Sequence, residues 1–97
     1  MTKADLVDQV SEAIGPGVTK RDCALVVDAL FEAMKHALIR GEHIELRGFG
    51  TFKVQERNPR TARNPRSGET VLVPARVQPV FKPARGFRDE VNEALGG

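Results

Sequence analysis

The chain has 97 residues, 40% of them hydrophobic and 29% charged, with a formal net charge of +2, one cysteine and neither tryptophan nor tyrosine. That length argues for one domain with a modest core, and a lone cysteine excludes an intrachain disulfide. No apolar run approaches the ~20 residues needed to span a bilayer, and Met1-Thr2-Lys3-Ala4-Asp5 lacks the features of a secretory leader, so a soluble cytoplasmic protein is expected.

Thr2 to Ile14 reads as a helix. Leu6, Val7, Val10, Ala13 and Ile14 recur at helical spacing, with Asp5, Asp8, Gln9 and Glu12 on the other face. Thr2 and Asp5 have the spacing of a capping box, and Gly15-Pro16-Gly17 stops the helix. Thr19 and Asp22 open a second helix in the same way. Its apolar residues (Cys23, Val26, Val27, Leu30, Phe31, Met34, Ala37, Leu38) run to a stop at Arg40-Gly41, about 20 residues on. This stripe is too wide for the short first helix to cover, which predicts a symmetric homodimer supplying the missing core.

His43, Glu45 and Arg47 alternate with Ile44 and Leu46 as in a half-buried strand, and Gly48 and Gly50 permit a tight reversal into a strand at Thr51–Gln55. Phe49 and Phe52 are better read as core under this reversal than as base-stacking platforms. Val77-Gln78-Pro79-Val80-Phe81 is a further strand, with Pro79 marking an edge or a bulge. Pro83 suits the first turn of a last helix carrying Phe87, Val91 and Leu95. Because the strands are consecutive, the fold class is α+β: two N-terminal helices, a three-stranded antiparallel sheet extended into a β-ribbon arm, and a C-terminal helix.

The arm is the unusual stretch. Arg57, Arg60, Arg63, Arg66 and Arg76 stand against one acid, Glu69, and no large apolar residue lies between Val54 and Val71. The segment cannot bury itself in its own core. A disordered basic linker would have the same composition, but the flanks are strand-like and Ser67-Gly68 is turn chemistry, so a two-stranded ribbon is expected. The charge is segregated too. Residues 1–46 hold five basic residues against eight acids, a net −3, whereas residues 47–97 hold ten against five, a net +5. An acidic scaffold with a basic end points to nucleic acid or another anionic surface.

At Gly48-Phe49-Gly50-Thr51-Phe52, Arg57 and Arg63-Asn64-Pro65-Arg66-Ser67-Gly68, the chain closely resembles the bacterial HU and integration host factor family. The resemblance extends over essentially the whole chain, including the element order and Val80-Phe81-Lys82-Pro83. It implies an intertwined dimer whose two arms embrace duplex DNA along the minor groove, with a proline near each tip wedged between base pairs to bend it. It also implies one HU-like domain: residues 1–46 the helical dimerisation part and first strand, 47–81 the sheet and arm, 82–97 the C-terminal helix.

One departure is internal. Arg-Asn-Pro-Arg occurs at 57–60 and again at 63–66, an even spacing that in a continuous strand would put both copies on one face. Only the second copy is followed by Ser-Gly, so Pro65 is the expected intercalating wedge and Pro59 a bulge or bend. The expected DNA-binding set is Lys3, Lys53, Arg57, Arg60, Arg63, Asn64, Pro65, Arg66, Arg76, Lys82, Arg85 and Arg88. Arginines suit phosphates and narrow grooves, Asn64 can reach base edges or sugar, and Pro65 can enter a base stack without stranding an N–H. Lys3 and Arg85 fall in first helical turns, where backbone N–H groups also favour anions.

The leading expectation is a histone-like, nucleoid-associated protein that bends duplex DNA with little sequence preference. The alternative is an integration-host-factor-like subunit acting at specific sites, toward which Val80-Phe81-Lys82-Pro83 leans. RNA or single-strand binding is disfavoured by an arm without aromatic rings. No catalytic grouping is present, and His36 and His43 lack ligand spacing, so no enzyme, metal, cofactor, small-molecule substrate or membrane partner is expected. The expected partners are double-stranded DNA and a second copy of the chain, with a heterodimer left open. Cys23, on the apolar stripe, reads as a small buried hydrophobe.

Overall fold

The structure is a computed structural model describing residues 1–96. The elements are α1 (Lys3–Ile14), α2 (Lys20–Ile39), β1 (Ile44–Leu46), β2 (Gly50–Arg57), β3 (Arg60–Arg63), β4 (Thr70–Val73), β5 (Arg76–Pro83) and α3 (Arg85–Leu95). They fall into two compact units, one ending at His36 and the other starting at Ala37.

The first unit is α1 and most of α2. The Thr2 hydroxyl accepts from the Asp5 N–H while the Asp5 carboxylate accepts from the Thr2 N–H, the reciprocal cap expected from their spacing. Thr19 caps α2 through the Asp22 N–H at 3.1 Å. The core is small: Val7, Cys23 and Val27 are buried, with Ala24 packed against them. Ion pairs from Lys3 to Asp28 and from Lys20 to Asp8 link the two helices across their exposed sides. Leu25, Val26 and Leu30, all on α2, are more than half exposed.

The second unit begins where α2 ends. The Glu42 N–H donates to the Ala37 carbonyl and the Gly41 N–H to that of Leu38, a Schellman closure that requires the positive φ of Gly41. The sheet order is β1-β2-β5, antiparallel throughout. β1 is shorter than the alternating pattern predicts, because Arg47 belongs to the turn that carries the chain through Gly48 to Gly50.

Pro79 sits on an edge strand opposite Val54 in an unbroken ladder, so the edge reading holds and there is no bulge there. Pro83 does not open the last helix. It ends β5 opposite Gly50, and α3 starts two residues later behind Ala84, whose extended backbone serves as N-cap without a side-chain bond. An edge strand tolerates the missing N–H. Ala84 instead donates its own N–H to the Phe49 carbonyl at 2.8 Å, tying the turn before β2 to the start of α3.

Beneath the sheet, Phe49, Phe52, Phe81 and Phe87 form one aromatic cluster. Ring centroids are 4.7 Å apart for Phe52–Phe81 and 5.1 Å for both Phe49–Phe81 and Phe49–Phe87. The phenylalanines at 49 and 52 are therefore packing residues. Phe49 and Phe81 stay 44% and 39% exposed, so the single chain does not finish covering its own core.

Candidate nucleic-acid interface

Residues paired across an antiparallel ladder share a face, and alternate residues along a strand take opposite faces. The β2–β5 register therefore sorts the ribbon base into two surfaces. Phe52 with Phe81 and Val54 with Pro79 make the apolar one. Thr51 with Lys82, Lys53 with Val80, Gln55 with Gln78 and Arg57 with Arg76 make the other. The alternation brings four of the expected contacts, Lys53, Arg57, Arg76 and Lys82, onto one surface. It also adds Gln55 and Gln78, which were not in the expected set. Parity marks both from sequence alone, Gln55 with Lys53 and Arg57 and Gln78 with Arg76 and Lys82; the ladder then sets the two opposite each other.

Arg57 stands directly opposite Arg76, a like-charge cross-strand pair that disfavours the free ribbon. Neither arginine, nor Arg60, Arg63 or Arg66, has an ion-pair partner among the described residues. The acids do not compensate. Glu56 alternates onto the other surface, and Glu69 lies at the base of the tip.

Beyond Arg57 the ladder stops for Asn58 and Pro59 on one strand and for Pro74 and Ala75 on the other, then resumes at Arg60 opposite Val73. Two residues are skipped on each side, so the register is kept. Pro59 accordingly marks an interruption and not a bulge: neither Pro59 nor Pro74 has an N–H to give the ladder. The strand is not continuous here, so parity does not carry across the gap from the first copy to the second. Arg57 and Arg60, three residues apart, line the same cleft together with Arg76, Asn58 and Gln78.

β3 and β4 carry the outer ribbon, with Arg60 opposite Val73 and Arg63 opposite Thr70. The tip is a tight turn closed by the Asn64 N–H on the Glu69 carbonyl and the Gly68 N–H on the Asn64 carbonyl, both 2.8 Å. Gly68 supplies the positive φ of 73°. The Asn64 side-chain oxygen accepts from the Arg66 N–H at 2.9 Å, an Asx turn that commits this oxygen to shaping the tip. Its amide NH₂ is the part left for a ligand. Pro65 and Arg66 are exposed at the apex.

The remaining expected residues lie off the arm. Arg85 and Arg88 occupy the first turn of α3, which has no acid there and no side-chain cap. Lys3 belongs to the first unit, where its ammonium is 2.7 Å from the Asp28 carboxylate. That hydrogen bond, with the charge behind it, raises the Lys3 pKa above 10.5, and Asp8 does the same for Lys20. The described residues hold no cluster of three or more metal-ligating side chains, and none of their helices is long and apolar enough to cross a membrane.

The family profile described as bacterial DNA-binding protein matches residues 1–92. The chain belongs to the HU and integration host factor family. It is 44% identical to integration host factor subunit beta of Hahella chejuensis over 98% of this chain and 96% of that protein. It is 43% identical to DNA-binding protein HU of Clostridium pasteurianum over 96% of this chain and all of that protein. In three dimensions it is similar to Anabaena HU in a cocrystal structure with DNA, with a TM-score of 0.80 at 37% identity, over 94% of this chain and 97% of that one. The family's two branches match this chain almost equally.

Proposed function

We propose that this chain is an architectural protein that binds duplex DNA through its arm and bends it with little sequence preference, organising the bacterial nucleoid in the cytoplasm. The observation that carries this reading is the ribbon itself. It sets Arg57 against Arg76, pairs none of its arginines with an acid among the described residues, and ends in a tight turn with Pro65 exposed at the apex. A polyanion relieves that self-repulsion, and a solvated loop would not need so ordered a tip. The structural similarity to an HU protein bound to DNA supports the same reading.

In this reading Arg57, Arg60, Arg63, Arg66 and Arg76 neutralise phosphates or line the minor groove. Asn64 holds the tip and offers its amide, and Pro65 is the wedge. Lys53 and Lys82 extend the track along the ribbon base and Arg85 and Arg88 at the start of α3, while Lys3, in the first unit, supplies a separate contact. A second copy of the chain covers the exposed Leu25, Val26 and Leu30 and the open side of the aromatic cluster, giving the intertwined dimer and its two arms. The protein acts by binding alone, without catalysis or cofactor.

End-to-end energy transfer on several unrelated duplexes at physiological salt tests the proposal. Bending of all of them at similar affinity is expected. A dimer neutralising roughly eight phosphates should show a slope of log K against log salt near −7; a slope flatter than about −3 would count against the embracing arms. The identity to integration host factor subunit beta favours one second reading, a site-specific subunit. Tight bending of one duplex with weak binding to the rest would select it.

A further inference from the structure

We propose that the interruption in the arm is a phosphate-binding site of its own, in which the guanidinium groups of Arg57, Arg60 and Arg76 and the amide of Gln78 converge on one backbone phosphate of the duplex. The proposal rests on the DNA-binding reading above and adds an anchor on each arm that is independent of the tip.

Three observations carry it. Arg57, Arg60, Arg76, Asn58 and Gln78, with Val73 and Pro74, line one open cleft of about 350 Å³, many times the ~10–15 Å³ that a single water needs on the same measure. No acid lines the cleft, and none of the three arginines is in an ion pair among the described residues, so a convergent positive field is left without an internal counter-charge. The cleft exists because Asn58-Pro59 and Pro74-Ala75 face each other with two prolines that cannot donate to the ladder. In a closed ribbon Arg57 and Arg60 would alternate to opposite faces. Planar guanidinium forks and a side-chain amide are suited to the oxygens of a phosphodiester.

The decisive variant closes the cleft without changing a charge. Pro59→Ala combined with Pro74→Ala restores both N–H donors. In the full-length protein the salt slope should become shallower by about two, one phosphate for each arm of a dimer. Bending by Pro65 should persist. Inorganic pyrophosphate, used as a small probe, should shift the Gln78 side-chain amide signals in the parent protein and not in the double variant.

An unchanged slope would overturn the proposal, and so would lost bending at constant slope, which would make the interruption a hinge only. Pyrophosphate binding with no effect of the double variant on DNA would show a free-anion site instead. A changed slope without pyrophosphate binding would still support the proposal, since the duplex then supplies the remaining contacts. Should the double variant misfold, Gln78→Leu serves: charge is constant, and loss of a hydrogen bond to phosphate should weaken DNA binding about tenfold. Unchanged affinity there would overturn the assignment. Failure of the parent protein to bind or bend any duplex would instead remove the functional reading itself.

Discussion

Pro59 and Pro74 occupy opposing positions in the interrupted ladder of the arm, between the Arg57–Arg76 pair and the Arg60–Val73 pair. One proline in a two-stranded ribbon removes one donor. Two opposed prolines leave neither strand an N–H donor at that position, and the ribbon divides into a base and an outer segment without losing register. The two Arg-Asn-Pro-Arg copies thereby take different structures: the first spans a gap between strands, the second builds the tip.

The first prediction separates the two copies. Pro65→Ala should lower the energy-transfer change on saturated duplexes while affinity stays within about threefold, because phosphate contacts carry most of the binding. Pro59→Ala should reduce bending less. Equal loss from both would show that the wedge is misassigned.

The Asx turn at the tip gives a second prediction. Asn64→Ala removes the acceptor of the Arg66 N–H, so amide exchange at Arg66 and Gly68 should accelerate in the free protein, whereas Asn64→Asp keeps the acceptor and should preserve protection. Equal exchange in all three proteins would mean that this bond does not hold the turn.

Gly50 offers a stability test. A Cβ built there would lie 2.5 Å from the Lys82 carbonyl oxygen and 2.6 Å from the Phe81 ring, both parts of the strand it pairs with. Gly50→Ala should cost about 3 kcal/mol in urea unfolding, the upper part of the range for overpacking, since a backbone carbonyl cannot move aside cheaply. A loss below about 1 kcal/mol would mean that β5 shifts easily.

The interhelical ion pairs make stability pH-dependent in a stated direction. The Lys3 and Lys20 pKa values are raised in the folded state by Asp28 and Asp8. Their contribution is complete below the ordinary lysine value of 10.5 and is lost as pH rises through the higher folded values. Melting temperature followed by circular dichroism should fall above that pH. The fall should be smaller in Asp28→Asn, and an identical fall would place its cause elsewhere.

Exposed α2 residues test the dimer. Leu30→Asp puts a charge where a second chain is expected to pack, and sedimentation equilibrium should return the monomer mass with reduced helicity. A dimer of undiminished affinity would show that this face is not the interface.

Much of this architecture is local information. Thr2 with Asp5 and Thr19 with Asp22 announce their caps, Arg40-Gly41 its closure and Ser67-Gly68 its turn, because each bond spans only a few residues. The arm's exposure follows from composition, since a stretch of arginines without large apolar residues has nothing to bury. Tertiary structure decided what depends on distant partners. Lys3 meets Asp28 across a helix pair, Arg57 comes to face Arg76 only through the register of β2 and β5, and Pro59 interrupts the ribbon where the register brings Pro74 opposite it. Pro83, adjacent to a helix in sequence, is held in β5 by Gly50, more than thirty residues before it. Local chemistry sets which bonds each short segment can make; the fold selects among them by supplying partners that sequence proximity does not reveal.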